Sequence, residues 1–312
     1  MGEGNNTFLT ELILVGFTVI PQLQIVLFTI FLAIYVFTVT TNIIIISIVR
    51  ADQHLHKPMY FFISNFSFLE LCYTTTFFPK MMAGLVTGNK TISVQGCIIQ
   101  FYFMNDFALT IHFFLAVMSF DRYLAICRPL HYTTIMTSRV SGYLALFAWT
   151  AGFVSPVMPA GLVSTLNFCG PQNIDHFFCD FAPVLKLSCT DTSLVEITYL
   201  SFVWTIVLCC FLFTLVSYAH IISTVLRIKS PFGRKKTFST CSSHLAVVSI
   251  FYSTVIFMYL RPPGKTTFHS DKVVSVFYSM VTPVFNPIVY SLRNQEVKKA
   301  LAKVLYRHLK LG

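Results

Sequence analysis

Residues 111–127, IHFFLAVMSFDRYLAIC, decide the fold of this chain, because a long apolar run ends there on an adjacent acid and base, Asp121 and Arg122. A charged pair inside hydrocarbon is costly and usually functional, whereas the same pair at a membrane surface costs little. Whether this pair indicates a functional site therefore depends on where the membrane surface lies along the chain.

The composition is that of a membrane protein. Of 312 residues, 55% are apolar and only 11% are charged, whereas a soluble domain has about 25% charged residues. A transmembrane helix needs about 20 mostly apolar residues, and the chain has seven such stretches, at 23–49, 58–84, 97–120, 140–163, 196–226, 238–260 and 270–292. The sequence therefore predicts an all-α membrane protein, a seven-transmembrane helix bundle.

The basic residues predict the orientation of this bundle. Of the 22 Lys and Arg residues, six lie on the N-terminal side if the loops alternate, which leaves sixteen on the other side. Cytoplasmic loops are the basic ones, so we expect an extracellular N-terminus and a cytoplasmic C-terminus. The first 22 residues contain no Lys or Arg, so we expect the first helix, and not a cleaved signal peptide, to direct insertion.

Three regions follow from these spans: an extracellular tail at 1–22, a seven-transmembrane domain at 23–292, and a cytoplasmic region at 293–312. Apolar residues in the last region recur at helical spacing opposite a row of cations, which predicts a short amphipathic helix on the membrane surface. The net charge of +10 lies on short loops facing anionic lipid. It favours membrane lipid and argues against nucleic acid as a partner.

Three other motifs place polar groups near the cytoplasmic ends of the spans. The segment PVFNPIVYSLRN at 283–294 has two prolines four residues apart, which interrupt the backbone hydrogen bonds of the seventh span. Ser217 and Tyr218 bring hydroxyls to the end of the fifth span, and KKTFSTCSSH at 235–244 opens the sixth span with cations and hydroxyls. The acid and base of the opening segment thus lie at the membrane surface, among groups they could reach if helices moved.

The chain resembles the olfactory receptors, which are rhodopsin-like G-protein-coupled receptors, in five motifs. In the family's order and spacing they are LHKPMY at 55–60, MSFDRYLAIC at 118–127, SY at 217–218, KTFSTCSSH at 236–244 and PVFNPIVYSLRN at 283–294. The long second outer loop is similar to that of class II, the terrestrial-vertebrate branch.

The resemblance implies a plasma-membrane receptor that binds a small, neutral, mostly apolar volatile odorant and activates a stimulatory, olfactory-type G protein to raise cAMP. It implies no enzyme activity, cofactor or metal. The implied ligand cavity lies in the outer half of the bundle, and its expected members are Met104, Asn105, Ala108, Leu109, His112, Tyr199, Phe202, Val203, Ile206, Tyr252, Val255, Ile256, Tyr259, Val276 and Ser279.

The resemblance also implies residues that couple the ligand to the G protein. Arg122 is expected to be held by Asp121 at rest and to turn towards Tyr218 and Tyr290 when the sixth helix swings outward. The expected activation residues are Asp121, Arg122, Tyr123, Tyr218, Asn286, Pro287 and Tyr290, and an inner polar cluster is expected from Asn42, Glu70 and Asn286.

Several positions depart from related receptors. Ile111 stands where olfactory receptors commonly have Glu, and Glu70 where they usually have Asp. Met104 and Met280 occupy the positions at which amine receptors carry an Asp and opsins a Lys, so an amine and covalent retinal are not expected. Asp106 nevertheless keeps an amine ligand open as an alternative.

Four cysteines fall on the expected extracellular side, where disulfides persist: Cys97, Cys169, Cys179 and Cys189. Four cysteines allow three pairings, and the resemblance implies Cys97 with Cys179 and Cys169 with Cys189. A disulfide at Cys179 would deny a thiolate to any metal at HFFCD, 176–180.

The sequence also contains three sequons for N-glycosylation. Asn5 in NNT is the main expected site, and Asn89 in NKT is a second candidate. Asn65 in NFS falls inside the second span and should be silent.

Other function classes fit the sequence less well. We find no internal repeat typical of a transporter, no polar stripe typical of a channel and no catalytic constellation among the scattered histidines. The remaining alternative is a receptor of the same kind that acts outside the olfactory epithelium on an endogenous small metabolite, lipid or amine. Arrestin is a further expected partner, through the loop hydroxyls of Thr133, Thr134, Ser138 and Ser239.

Overall fold

A computed structural model describes residues 9–16, 21–169, 172–259, 279–280, 282–293 and 295–309. The described part is mostly helical. Its helices are α1 (Pro21–Ala51), α2 (Pro58–Thr87), α3 (Val94–Cys127), α4 (Pro129–Ile135), α5 (Ser138–Val154), α6 (Val157–Ser164), α7 (Phe181–Leu185), α8 (Ser193–Leu226), α9 (Pro231–Tyr259), α10 (Thr282–Arg293) and α11 (Gln295–Leu309).

The helices follow the predicted spans. Four described segments are long and apolar enough to cross a membrane, at 23–51, 94–127, 138–164 and 193–226. The helices α2 and α9 are 30 and 29 residues long and coincide with the second and sixth predicted spans. Helix α10 covers the C-terminal half of the seventh span, and 270–278 lie outside the described residues.

The fourth span differs from the single helix expected at 140–163. The structure divides it into α5 and α6, with Ser155 and Pro156 between them. Proline lacks a backbone N–H and disfavours helical geometry in the residue before it, so the helix is interrupted at this point. Pro159 is accommodated because it lies in the first turn of α6, where backbone N–H groups lack intrahelical acceptors.

A three-stranded sheet holds part of the N-terminal segment, for which the sequence predicts only an extracellular tail. The central strand β1 (Glu11–Leu14) pairs antiparallel with β2 (Thr91–Ser93) and parallel with β3 (Asn173–Ile174). The segment before the first span is therefore fixed to two loops that are distant in sequence.

The register of the sheet turns alternate side chains of β1 inward. Leu12 lies opposite Ile92, and Ile13 lies opposite Asn173. Leu12 and Leu14 are both buried, as expected for residues two apart on one face of a strand. Their burial explains why so short a strand is held in place.

The chain divides into two compact units, which are described separately. Unit 1 comprises Met1–Tyr35, Tyr73–Leu109 and Gly152–Ile206. Unit 2 comprises Val36–Cys72, Thr110–Ala151 and Val207–Gly312.

Two disulfides lie in unit 1, and their pairing is the one that the resemblance implies. Cys97 is bonded to Cys179, with Cα atoms 5.4 Å apart. Cys169 is bonded to Cys189, with Cα atoms 5.7 Å apart. The first bond joins α3 to the segment before α7, and the second joins two cysteines that are 20 positions apart in the sequence.

Buried Gln100 supports the first disulfide. Its Oε1 accepts a hydrogen bond from the backbone N–H of Cys179 at 2.9 Å. Its Nε2 donates to the carbonyl oxygen of Thr76 at 3.1 Å. One side chain thus connects α2, α3 and the disulfide-bonded loop.

The C-terminal helix α11 is fixed to unit 2 by charged contacts. Lys57 Nζ lies 2.9 Å from Glu296 Oε2, and the Tyr60 hydroxyl donates to the same oxygen at 3.0 Å. Burial works to raise the pKa of Glu296, but hydrogen bonds from Lys57 and Tyr60 outweigh it, so that the pKa lies below its ordinary value. Val297, the next residue of α11, is buried.

We predict that Gln100→Leu lowers the free energy of unfolding by about 1–3 kcal/mol, because the buried N–H of Cys179 loses its acceptor. Thermal unfolding of the purified protein measures the effect. Gln95→Leu is the matched control, since Gln95 lies exposed on the same helix. Equal stability of the two variants would contradict the supporting role of Gln100.

Candidate ligand-binding and activation sites

Asn105 and Tyr199, both predicted ligand contacts, meet in unit 1. The Tyr199 hydroxyl donates to Asn105 Oδ1 at 2.7 Å, and Asn105 Nδ2 donates to the carbonyl oxygen of Phe101 at 2.9 Å. Asn105 is half-buried and Tyr199 is buried. The contact joins α3 to α8 through a hydroxyl and an amide, groups that can each donate and accept hydrogen bonds.

Aromatic rings hold Tyr199 in this position. The ring of Phe181, the first residue of α7, stacks on Tyr199 with centroids 3.6 Å apart and an interplanar angle of 20°. Phe101 lies 6.0 Å from Tyr199 and 6.1 Å from Phe181 between ring centroids. Aromatic stacking and burial therefore orient the tyrosine hydroxyl towards Asn105.

The remaining predicted contacts of unit 1 are apolar. Met104 and Leu109 are buried, and the partly buried members are Ala108, Phe202, Val203 and Ile206. Asp106 is also buried and is close enough to Tyr102 for its charge to act on that hydroxyl.

His112 and Tyr252 meet in unit 2, where α3 packs on α9. The imidazole of His112 makes edge contacts with Phe251 and Tyr252, with centroids 4.8 and 5.9 Å apart. Phe211 of α8 lies 4.9 Å from the Tyr252 ring. His112 and Tyr252 are each only 3% exposed, so the cluster offers one imidazole and one phenol in apolar surroundings.

The other predicted ligand contacts of unit 2 differ in how far they are buried. Val255 and Ser279 are buried, whereas Ile256 is 40% exposed. The side chain of Tyr259 and all of Val276 lie outside the described residues.

Arg122 forms an ion pair with Asp121, the preceding residue of the same helix. Its Nε donates to Asp121 Oδ2 at 3.0 Å, and its Nη2 donates to the same oxygen. The other carboxylate oxygen accepts a hydrogen bond from Tyr132 of α4 at 2.8 Å. Burial, and then the charge of Asp121, raise the pKa of Tyr132 above its ordinary value, so this phenol remains a hydrogen-bond donor.

A contact between Tyr218 and His244 joins α8 to α9 and was missed in the sequence. The Tyr218 oxygen lies 2.6 Å from His244 Nδ1, with either group donating according to the imidazole tautomer. Their rings stack with centroids 5.8 Å apart, and both residues are buried. The signal was the last letter of KTFSTCSSH, a polar residue on the packed face of a helix.

The expected inner polar cluster is assembled in unit 2. Asn286 Nδ2 of α10 donates to Glu70 Oε1 of α2, and Asn42 of α1 is close enough to hydrogen-bond with Glu70. Asn42 Nδ2 also donates to the carbonyl oxygen of Thr38 at 3.0 Å. All three predicted side chains are at most 1% exposed. The cluster therefore joins three helices through polar contacts that are shielded from bulk water.

Helix α10 is continuous from Thr282 to Arg293, although the sequence predicts interrupted backbone hydrogen bonds at its prolines. Pro287 lies inside the helix and removes one backbone N–H from its hydrogen-bond ladder. Tyr290, one turn further on, is 1% exposed and packs edge-on against Phe66, with ring centroids 6.2 Å apart.

Tyr123, another predicted activation residue, lies on α3 and contacts His220 of α8, with ring centroids 5.8 Å apart.

The remaining predictions concern a metal site and the three sequons for N-glycosylation. Within the described residues, no group of three or more His, Cys, Asp or Glu side chains could hold a metal ion. Asn89 is exposed, and its Oδ1 accepts hydrogen bonds from the backbone and hydroxyl of Thr91. Asn65 is half-buried and accepts a hydrogen bond from Trp149. Asn5 lies outside the described residues.

Comparison with known proteins supplies the family context. A family profile described as "Olfactory receptor" matches residues 31–308. The chain is 47% identical over 303 residues to olfactory receptor 6F1 of Homo sapiens, covering 97% of this chain and 98% of that protein. It is 46% identical over 303 residues to olfactory receptor-like protein OLF1 of Canis lupus familiaris, covering 97% of each chain.

Among solved structures, squid rhodopsin matches with a TM-score of 0.68 at 15% sequence identity. The match covers 95% of this chain and 91% of that chain. At this identity the likeness shows the fold alone, and the predicted seven-transmembrane helix bundle is confirmed.

Proposed function

The chain belongs to the olfactory receptor family of G-protein-coupled receptors, and from this premise we propose that it is an odorant receptor of the plasma membrane. Members of this family are receptors and not enzymes. In our proposal the ligand is a small, neutral, mostly apolar volatile, and the receptor activates a stimulatory G protein that raises cAMP.

The character of the two polar clusters supports this ligand class. The Asn105 and Tyr199 pair and the His112 and Tyr252 pair are surrounded by aromatic and aliphatic side chains. A cluster of this composition, in either unit, binds through shape and dispersion, with a few hydrogen bonds that fix the orientation of the ligand. A neutral molecule with one oxygen atom matches these groups, because it needs no charged partner.

The α3, α8 and α9 contacts of unit 2 suggest how binding is transmitted. A ligand that contacts Tyr252 acts on α9, the helix that also carries His244. Movement of α9 away from α8 breaks the Tyr218 and His244 contact, which frees the Tyr218 hydroxyl to bind Arg122. The ligand shifts this equilibrium only by its different affinities for the two arrangements. A G protein then binds the arrangement in which Arg122 has left Asp121.

We predict that Tyr199→Phe and Tyr252→Phe each weaken the response to an activating volatile, with loss of one hydrogen bond raising the half-maximal concentration by about 2-fold to 12-fold. The measurement is cAMP accumulation in cells that express the receptor with an olfactory-type G protein. Tyr143→Phe is the control, because Tyr143 is 65% exposed.

The same assay separates the proposed ligand class from its alternative. Responses to short amines or acids, together with silence towards volatiles at verified surface expression, would contradict the odorant proposal. An amine response that Asp106→Asn removes would favour an endogenous amine as the ligand, since Asp106 is a buried acid in unit 1.

We predict that Arg122→Ala abolishes agonist-dependent cAMP accumulation, because no other guanidinium is held at this point of α3. Arg128→Ala serves as the control, since Arg128 is exposed just before α4. Surface expression of both variants is measured by antibody labelling. Full signalling by Arg122→Ala at equal expression would refute the proposed role of the arginine.

We further propose that the N-terminus is extracellular. The division of basic residues supports this orientation, and both disulfides lie in the unit that contains the N-terminal strand. Disulfides persist on the extracellular side of a membrane.

We predict that Asn5→Gln removes most of the endoglycosidase-sensitive mass of the receptor and that Asn5→Gln with Asn89→Gln removes all of it. The reason is that only luminal sequons receive a glycan. Electrophoresis after glycosidase treatment measures the change, and Asn65→Gln is the control. A wild-type receptor with no glycan, or a glycan that remains in the double variant, would count against the orientation.

A further inference from the structure

A cavity of about 400 Å³ lies in unit 2 between the C-terminal end of α8 and the N-terminal part of α9. Its wall is largely aliphatic and includes buried Ile221 and Val225 and exposed Ile222. Two exposed cations, Arg234 and Lys235, complete the lining. The cavity thus combines an apolar interior with positive charge, a combination suited to an anionic amphiphile.

Among the described residues, no acidic side chain forms an ion pair with the cations that line this cavity. The segment RIKSPFGRKK at 227–236 contains five cations, and the sequence has no Asp or Glu between Ile197 and Ser270. Within the described part of the chain, the ion pairs involve His54, Lys57, Arg122 and Lys303, and none involves Arg234 or Lys235. A polybasic segment beside apolar surface attracts anionic lipid of the inner leaflet.

We propose that this cavity binds a phosphoinositide, a phospholipid whose headgroup carries several phosphate charges. The headgroup lies against Arg234 and Lys235, and an acyl chain enters the apolar cavity. A guanidinium binds phosphate in a bidentate manner and an ammonium adds a point charge, so the pair favours a multiply charged headgroup over a singly charged one. The proposal depends on the proposed orientation, which places these loops in the cytoplasm.

Occupation of the cavity would bear on receptor activation. Tyr218 lines the cavity and also makes the contact with His244 that joins α8 to α9. A lipid seated between these helices stabilises the spacing in which the contact is made. It therefore favours the arrangement described here, by the difference in its affinity for the two spacings.

The test is native mass spectrometry of the purified full-length receptor mixed with phosphatidylinositol 4,5-bisphosphate or, separately, phosphatidylserine. We expect retention of one bisphosphate lipid in preference to phosphatidylserine. Arg234→Gln with Lys235→Gln should weaken binding about 30-fold, because each cation near a lipid headgroup contributes roughly one kcal/mol. Ile222→Trp should also weaken binding, since the indole fills the cavity without changing the charge.

Lys298→Gln with Lys299→Gln is the matched control, because it removes two exposed cations from α11 and should leave binding unchanged. Equal retention of both lipids, an equal loss in the α11 variant, or full binding by Ile222→Trp would each overturn the proposal. Thermal unfolding without lipid verifies that the variants are folded. The readout needs neither odorant nor G protein, so its failure is distinguishable from failure of the proposed function.

Discussion

Hydrocarbon offers no hydrogen-bond partners, and this constraint determines where the polar side chains of the helices can lie. Glu70 accepts a hydrogen bond from Asn286, and Tyr218 is bonded to His244. Removal of one partner would leave the other buried and unsatisfied, at a cost larger than the net value of the bond. These few contacts therefore keep the helices in register.

The lack of hydrogen-bond partners in apolar surroundings also affects how a ligand is recognised. An apolar wall discriminates weakly between ligands of similar size, whereas a buried group that loses its hydrogen bond discriminates strongly. The pair formed by Asn105 and Tyr199 and the cluster around His112 supply such groups among aromatic rings. The cations near 227–236 are different, because they lie at helix ends, where water and lipid phosphate can satisfy them.

Sequence patterns were sufficient for the spans and for most polar groups within them. Apolar length located the helices, and the motifs around Asp121, Tyr218 and Asn286 identified residues that the structure places in contact with polar partners. His244 was overlooked because a single polar residue at helical spacing does not indicate its partner. The strand β1 was overlooked because four residues are too few for periodicity to distinguish a strand from a tail.

The sequence by itself determined the membrane class, the number of spans and the family, because these depend on apolar length and on local motifs. Only the tertiary structure decided which side chains meet: Asn105 with Tyr199, Tyr218 with His244, and Glu296 with Lys57. It also showed the interruption of the fourth span at Pro156 and the cavity between α8 and α9. Such features depend on packing between segments far apart in the chain, about which local sequence carries little information.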